Sequence, residues 1–259
     1  MKTNDIEIEA MKDKALAFDT ALSATKASLS STDFPWYPYG TLNNLIHLDA
    51  LLTGTNRQLL KLIGDRATLD IGCADGDLAL FLETLGCEVQ VVDYAPTNYN
   101  SLRGFKLLKE FFSSSVELNE LDLDAQFALP EKSYGLVFLL GILYHLKNPF
   151  FVLESLAKVT EYCLISTRIA KFDSEISQLK ERVDFSHIPA AYLLDDLEAN
   201  GDSSNYWIFT DAGLRRILKR TGWEILDYKL IGNTLNSDPA SVGGDERAFC
   251  LVRSSRFRV

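Results

Sequence analysis

Apolar positions change their period along this chain, and each change predicts an element. Ile6, Ile8, Met11, Ala15, Phe18 and Leu22 recur at roughly helical spacing and predict an amphipathic docking helix. The run 28–33 reads as a linker by composition. After it comes Phe34-Pro35-Trp36-Tyr37-Pro38-Tyr39-Gly40, whose prolines allow neither a helix nor a central strand. A helical pattern returns over residues 42–52. From 66 to 168, short apolar strands (68–71, 88–92, 116–121, 134–140 and 162–167) alternate with helical stretches. One helix is expected to open at Pro96-Thr97-Asn98 and run to about Phe112, and another to start at Asn148-Pro149. Such alternation implies a parallel sheet with helices on both faces. Thr210 is placed to cap a helix over Asp211–Thr221, with Leu214, Ile217 and Leu218 on one face and Gly222 as its stop. A strand over 224–230, a polar loop and a last strand over 247–253 complete the pattern.

The strand ends carry the chemistry. The stretch Thr68-Leu69-Asp70-Ile71-Gly72-Cys73-Ala74-Asp75-Gly76-Asp77 leads from an apolar strand through a small-residue loop into a helix. Its glycines let backbone approach a ligand closely. A carboxylate at Asp70 suits an amine or hydroxyls better than a pyrophosphate, which prefers bare backbone N–H groups. The next strand ends in Asp93, placed for a ribose diol. In an open parallel sheet the ligand sits outside the carboxyl ends of the strands, where Gly72, Asp93, Asp122, Gly141 and Arg168 all fall. A glycine-rich loop alone would fit a dehydrogenase equally well.

As a set, these motifs resemble the class I S-adenosylmethionine (SAM) dependent methyltransferases, with an acid before Gly-x-Gly-x-Gly and a second acid after strand two. Ala74 stands here in place of the middle glycine. The resemblance covers roughly residues 66–253 and includes the closing order of helix, strand, loop and last strand. It implies an α/β, Rossmann-like, doubly wound seven-stranded sheet, mostly parallel with an antiparallel last strand. It further implies that Asp70, Gly72, Ala74 and Gly76 cradle the methionyl part of SAM, with Asp70 at the amino group. Asp93 would take the ribose hydroxyls, Tyr94 would pack on adenine, and Asp122 with the Leu123 backbone would read the adenine amino group, Asp124 being the rival. Gly141 would lie against the methionine portion.

Leu143-Tyr144-His145 with Asn148-Pro149 resembles the branch that holds wobble-uridine tRNA carboxymethyl-transferring enzymes and their small-molecule relatives. His145 and Tyr144 are the catalytic candidates. A histidine can accept the proton of an acceptor hydroxyl, or can cap the following helix or satisfy backbone near the cofactor; Tyr144 is read chiefly as a pocket wall. Trp36, Tyr37, Tyr39, Arg168 and Trp207 are candidate substrate contacts, the aromatics because they present an apolar body and a polar tip. The expected reaction is methyl transfer to an oxygen or nitrogen of a small molecule, with S-adenosylhomocysteine (SAH) as product. The alternatives are a tRNA wobble-uridine modifying transferase, and a catalytically inactive interaction protein.

Composition narrows this further. The chain has 259 residues, 47% hydrophobic and 24% charged, as an ordinary globule has. It divides by pattern into an N-terminal helical and aromatic cap (1–63) and a SAM-binding domain (64–259) with a lid insertion at about 171–209. A net charge of −10 opposes diffuse attraction to nucleic acid and favours a small-molecule acceptor. Asp195, Asp196, Glu198 and Asp202 make the insertion negative. No apolar run is long enough to cross a bilayer and the first residues lack a signal-peptide core, so a cytoplasmic location is expected without a membrane partner. Cys73, Cys87, Cys163 and Cys250 form no Cys-x-x-Cys pair and read as buried free thiols, with no metal. His47 and His187 carry little information. The N-terminal helix is open to two readings, a homodimer surface or packing on its own domain.

Overall fold

The computed structural model describes residues 6–29, 33–125, 129, 133–173 and 182–258. Contacts divide the chain into two units, 1–122 with 128–138, and 123–127 with 139–259.

In the first unit, the apolar run at Asp70 forms β1 (Ala67–Ile71), every residue of which is buried. It pairs in parallel with β2 (Val89–Asp93) on one side and with β4 (Tyr134–Leu140) on the other. Beyond β2 lies β3 (Glu117–Glu120), also parallel. The few polar groups in this layer are matched: Thr68 Oγ1 donates to the Leu136 carbonyl, and the Tyr134 hydroxyl donates to Gln90 Oε1, whose amide reaches Glu117. The docking helix forms as α1 (Ile8–Ser28), which buries Ile8, Met11, Ala15 and Leu22. It packs against α2 (Asn44–Leu51), followed by α3 (Leu59–Ile63), and against α4 (Asp77–Thr84). Asp49 on α2 ties the N-terminal layer by accepting from Lys12 at 2.6 Å and from Arg57 at 2.7 Å. Residues 33–40 form neither helix nor strand, as their prolines require.

The next helix departs from expectation. It does not open at Pro96: α5 spans Arg103–Phe111, and Ser101 and Leu102 before it have positive φ of 58° and 63°. Asn98 is the cause. Its side-chain oxygen accepts from the backbone N–H of Asn100 and of Leu102, and such local bonds offer the backbone an alternative to the helix.

The second unit holds the end of β4, α6 (Pro149–Val159), β5 (Thr160–Ile169), α7 (Asp211–Thr221), β8 (Trp223–Gly232) and β9 (Glu246–Ser254). β9 lies antiparallel between β5 and β8, in register from Tyr162↔Arg253 to Ile169↔Glu246 on the β5 side. The mostly parallel sheet with antiparallel late strands is therefore present. Two strands more than the sequence pattern shows arise inside 171–209: β6 (Ala191–Leu193) and β7 (Trp207–Phe209) pair antiparallel, and β7 joins β5 at Ile169↔Phe209. Strands of three residues are too short to show a period. All four cysteines are free and buried. Among the described residues, no helix is long and apolar enough to cross a membrane.

Thr210 caps α7 as expected, its hydroxyl oxygen accepting from Gly213 N at 3.0 Å. The same oxygen accepts from Ala190 N at 3.1 Å, which fastens the segment before β6 to the start of the helix. Thr210→Ala should cost about 1–2 kcal/mol in urea unfolding, the range for a lost cap, with Thr210→Ser near wild type; a loss confined to a few tenths would deny the hydroxyl this role.

Candidate functional site

The first unit builds a glycine loop at the end of β1. Gly72 N–H donates to the Val92 carbonyl, and Gly76 N–H to the Cys73 carbonyl at 2.7 Å, which closes a tight turn. Gly76 has φ +84°, and a Cβ there would lie 2.3 Å from the Phe105 ring, so only glycine fits. Ala74 also has positive φ, at 54°. Its N–H is held at 3.2 Å by Asp93 Oδ2, which also accepts from Asn98 Nδ2 at 3.1 Å, while Asp93 Oδ1 accepts from Tyr94 N at 2.7 Å. Asp93 thus stitches the end of β2 to the loop. Burial still pushes its carboxyl above the usual range, against those hydrogen bonds.

Asp70 contrasts with Asp93. It is 4% exposed, and no hydrogen bond or ion pair reaches its carboxylate among the described residues. Burial, then Asp93, then Asp77 push it up to about 7. A buried carboxylate facing other acids and lacking a cation is the group an incoming ammonium would stabilise.

The aromatic segment reaches this loop through backbone: Tyr37 N–H donates to Asp75 Oδ2 at 2.9 Å. Phe34 and Trp36 pack edge to face at 5.3 Å, and Tyr37 does so with Tyr39 at 5.7 Å and with Tyr99 at 6.1 Å. The first unit therefore brings Asp70, Gly72, Ala74, Gly76, Asp93 and Tyr94 together with the segment that carries Trp36, Tyr37 and Tyr39. Asp122 is half-buried and belongs to the same unit; Leu123 belongs to the second. Asp124, the rival for the adenine, accepts from Lys147 N and Asn148 N, both at 3.0 Å, and so holds the start of α6.

In the second unit, Gly141 has φ +76° and donates its N–H to the Ser166 carbonyl. Leu143–His145 form a single 3₁₀ turn, with the Tyr144 and His145 rings 4.3 Å apart. His145 does not cap α6; Asn148 does, accepting from Phe151 N. His145 Nδ1 lies 3.1 Å from the Ser204 carbonyl oxygen and 3.0 Å from Ser204 Oγ, whose own proton goes to Asp202 at 2.6 Å. Both oxygens are then acceptors, which assigns the proton to Nδ1 and leaves the lone pair on Nε2. Burial lowers the His145 pKa, against Asp202 and with Arg247, so the ring is neutral at pH 7.

Arg168 is placed differently from expectation. It lies inside β5, not past its end, and is 2% exposed. One guanidinium nitrogen donates to the carbonyls of Asp238 and Ser241, which fixes the loop before β9. The cation beside the candidate turn is instead Arg247, at the start of β9: it reaches the Tyr144 hydroxyl at 3.4 Å and shares Asp245 with Arg168, at 3.5 and 3.6 Å. Sequence reasoning missed it because 103 positions separate it from Tyr144. Trp207 lies on β7, its indole donating to the Lys147 carbonyl, and Tyr206 N–H donates to the Tyr144 carbonyl.

Between about pH 4 and 7 the folded chain holds a proton on Asp70 that the unfolded chain has released. This group's contribution to stability therefore falls as pH rises through that window and is level above it. Asp70→Asn should stabilise the ligand-free protein at pH 8 by on the order of 2–4 kcal/mol, and by progressively less towards pH 5, in urea titrations. An equal gain at both pH values would contradict the assignment.

Likenesses to known proteins bear on this geometry. The tRNA U34 carboxymethyltransferase of Aliarcobacter butzleri (strain RM4018) is 25% identical over 166 residues, 63% of this chain; the match spans 49% of that relative, about half its length. The N-terminal domain of EvdMO1 solved with SAH bound superposes with a TM-score of 0.55 at 16% identity, covering 99% of this chain and 100% of that one. The same domain in the presence of SAH and D-fucose gives 0.54 at 17% identity, over 76% of this chain and 80% of that one. At such identities the structures establish the fold. The methyltransferase domain family matches residues 46–228, well over half the chain and including the glycine loop, Asp93 and the His145 turn. The chain belongs to that family, the class I SAM-dependent methyltransferases.

Proposed function

We propose that this enzyme transfers a methyl group from SAM to an oxygen or nitrogen of a small-molecule acceptor, with His145 as general base. The observation that carries this reading is the fixed tautomer of His145: its Nδ1–H is committed to Ser204, which leaves Nε2 as a proton acceptor in a neutral ring. When bound, SAM supplies an electrophilic methyl carbon on a sulfonium. The chain's own groups orient and deprotonate. Asp70 ionises against the ligand's ammonium; Asp93, already aligned by Ala74, Tyr94 and Asn98, is proposed for the ribose hydroxyls. Tyr94 is assigned to the adenine face, Asp122 and the Leu123 backbone to its amino group, and Gly141 to the methionine portion. Trp36, Tyr37, Tyr39 and Trp207 are proposed to face the acceptor. SAM, held by these residues, would supply the methyl group and leave as SAH; the chain's own part is to align the acceptor and to take its proton on His145 Nε2.

The fit of such a ligand to the first unit is supported by Asp70, a buried acid with no cation among the described residues. A net charge of −10 and the D-fucose present with the EvdMO1 domain both support a small-molecule acceptor.

A second reading, carboxymethyl transfer to a tRNA uridine, is favoured by Arg247. A carboxylated donor needs a cation for its extra carboxylate, and Arg247 against the Tyr144 hydroxyl offers one, in a chain 25% identical to a tRNA U34 carboxymethyltransferase over 166 residues. Exposed Arg215, Arg216, Lys219 and Arg220 on α7 supply a local basic face for that reading.

Calorimetry with SAM, SAH and carboxy-SAM separates the two. Micromolar SAM binding with carboxy-SAM weaker supports methyl transfer; the reverse order supports the second reading. Once an acceptor is in hand, His145→Gln should keep SAH affinity within about twofold and lower kcat by roughly 10²–10⁴. Undiminished turnover would exclude the base.

A further inference from the structure

The left-handed turn at Ala74–Gly76 has a second anchor besides Asp93. Asp75, 1% exposed, is a junction for three segments. Its Oδ2 accepts from Tyr37 N at 2.9 Å and pairs with Lys26 Nζ at 3.0 Å; its Oδ1 accepts from Asn100 Nδ2 at 2.8 Å. Asn100 also donates to the Pro35 carbonyl at 3.2 Å. A Cβ on Gly104 would lie 2.1 Å from Asp75 Oδ1, so the absence of a side chain lets α5 close over the carboxylate. Lys26, in the last turn of α1, also reaches Asp77 Oδ1 at 2.8 Å, and its ammonium lies 5.5 Å from the Trp36 ring centroid. The side chains of this trio are 14%, 1% and 5% exposed.

We propose that Lys26 is a positioning residue for cofactor binding: by holding Asp75 and Asp77 it sets the glycine loop in its binding shape and locks the aromatic segment to the same point. The proposal rests on the reading that this loop binds SAM. Two carboxylates two positions apart, both shielded from water, repel unless a cation lies between them. Without Lys26 one of them must protonate or turn outward, and either change pulls on Ala74 and Gly76, which flank Asp75. The same carboxylate receives the Tyr37 N–H, so the loop and the aromatic segment form together. Burial pulls the Lys26 pKa down, but Asp77 and Asp75 raise it above its ordinary value, so the ammonium stays charged.

The test is calorimetric titration with SAH of wild type, Lys26→Met, Lys26→Arg and Lys12→Met, each checked for native circular dichroism at the working temperature. Lys12→Met is the control for α1 because it cuts the Lys12–Asp49 pair and leaves the loop untouched. Lys26→Met should weaken SAH binding at least tenfold, and Lys26→Arg should recover to within about threefold of wild type. Lys12→Met should lower Tm yet bind SAH within about twofold. If Lys26→Met does not fold, the double variant Lys26→Met with Asp77→Asn removes one stranded charge and is read in the same way. Wild-type affinity in a folded Lys26 variant, or equal weakening by Lys12→Met, overturns the proposal alone. Wild-type protein that binds no SAH overturns the cofactor reading and this proposal with it.

Discussion

Too many carboxylates for one loop is the constraint on which the first unit turns. Asp70, Asp75, Asp77 and Asp93 crowd the end of β1, where bulk water cannot disperse their charge, and each is handled differently. Asp93 is neutralised in effect by N–H donors from Ala74, Tyr94 and Asn98. Asp75 and Asp77 share the Lys26 ammonium. Asp70 has neither kind of partner among the described residues. Asp75, Asp77 and Asp93 thus all have partners within the unit, supplied by α1, the aromatic segment, the glycine loop itself and the turns before α5. The one left over marks the position where a positively charged ligand would gain most.

The second unit meets a comparable problem with the signs reversed. Arg168 and Arg247 lie on paired strands, Arg168↔Arg247 in the β5–β9 register, and would repel if left alone. Asp245, just before β9, lies near both. Backbone carbonyls of the 238–241 loop take up more of the Arg168 donors, so its charge is held within the protein, while Arg247 keeps its contact with Tyr144. The imidazole next to Tyr144 is kept neutral by burial and aligned by Ser204. Neutral imidazole and retained cation therefore sit side by side, each fixed by a segment far away in sequence.

Local chemistry was legible in the sequence; long-range pairing was not. Strands β1, β2, β4 and β5 announce themselves because runs such as Leu136-Val137-Phe138 are buried on both faces and need no alternation. The ends of α7 were equally readable, since Thr210 and Gly222 act within a few residues of themselves. The start of α5 was misplaced because Asn98 bonds to its own backbone two and four residues on, a choice that composition does not reveal. Asp75 gave no signal, since its partners Lys26, Tyr37 and Asn100 are between 25 and 49 positions away. Arg168 looked like a free cation at a strand end because burial inside a strand depends on what β9 and the 238–241 loop do. Arg247 was hidden for the same reason.

The place of β9 between β5 and β8 also bears on how the molecule comes into being. Strands β1 to β4 follow one another closely in the chain, so the first unit's sheet can assemble as it leaves the ribosome. β5 pairs with β9 along its length, and that partner emerges 77 to 91 residues later, from Ile169↔Glu246 to Tyr162↔Arg253. Until then an almost wholly buried strand, Thr160–Ile169, has its hydrogen-bonding edge towards β9 open, with Arg168 lacking the loop that receives its donors. Unpaired edges of this kind are where nascent chains pair wrongly. The same ladder that completes the finished unit is thus the last to form, and its late partner leaves β5 as the strand edge open longest in the nascent chain.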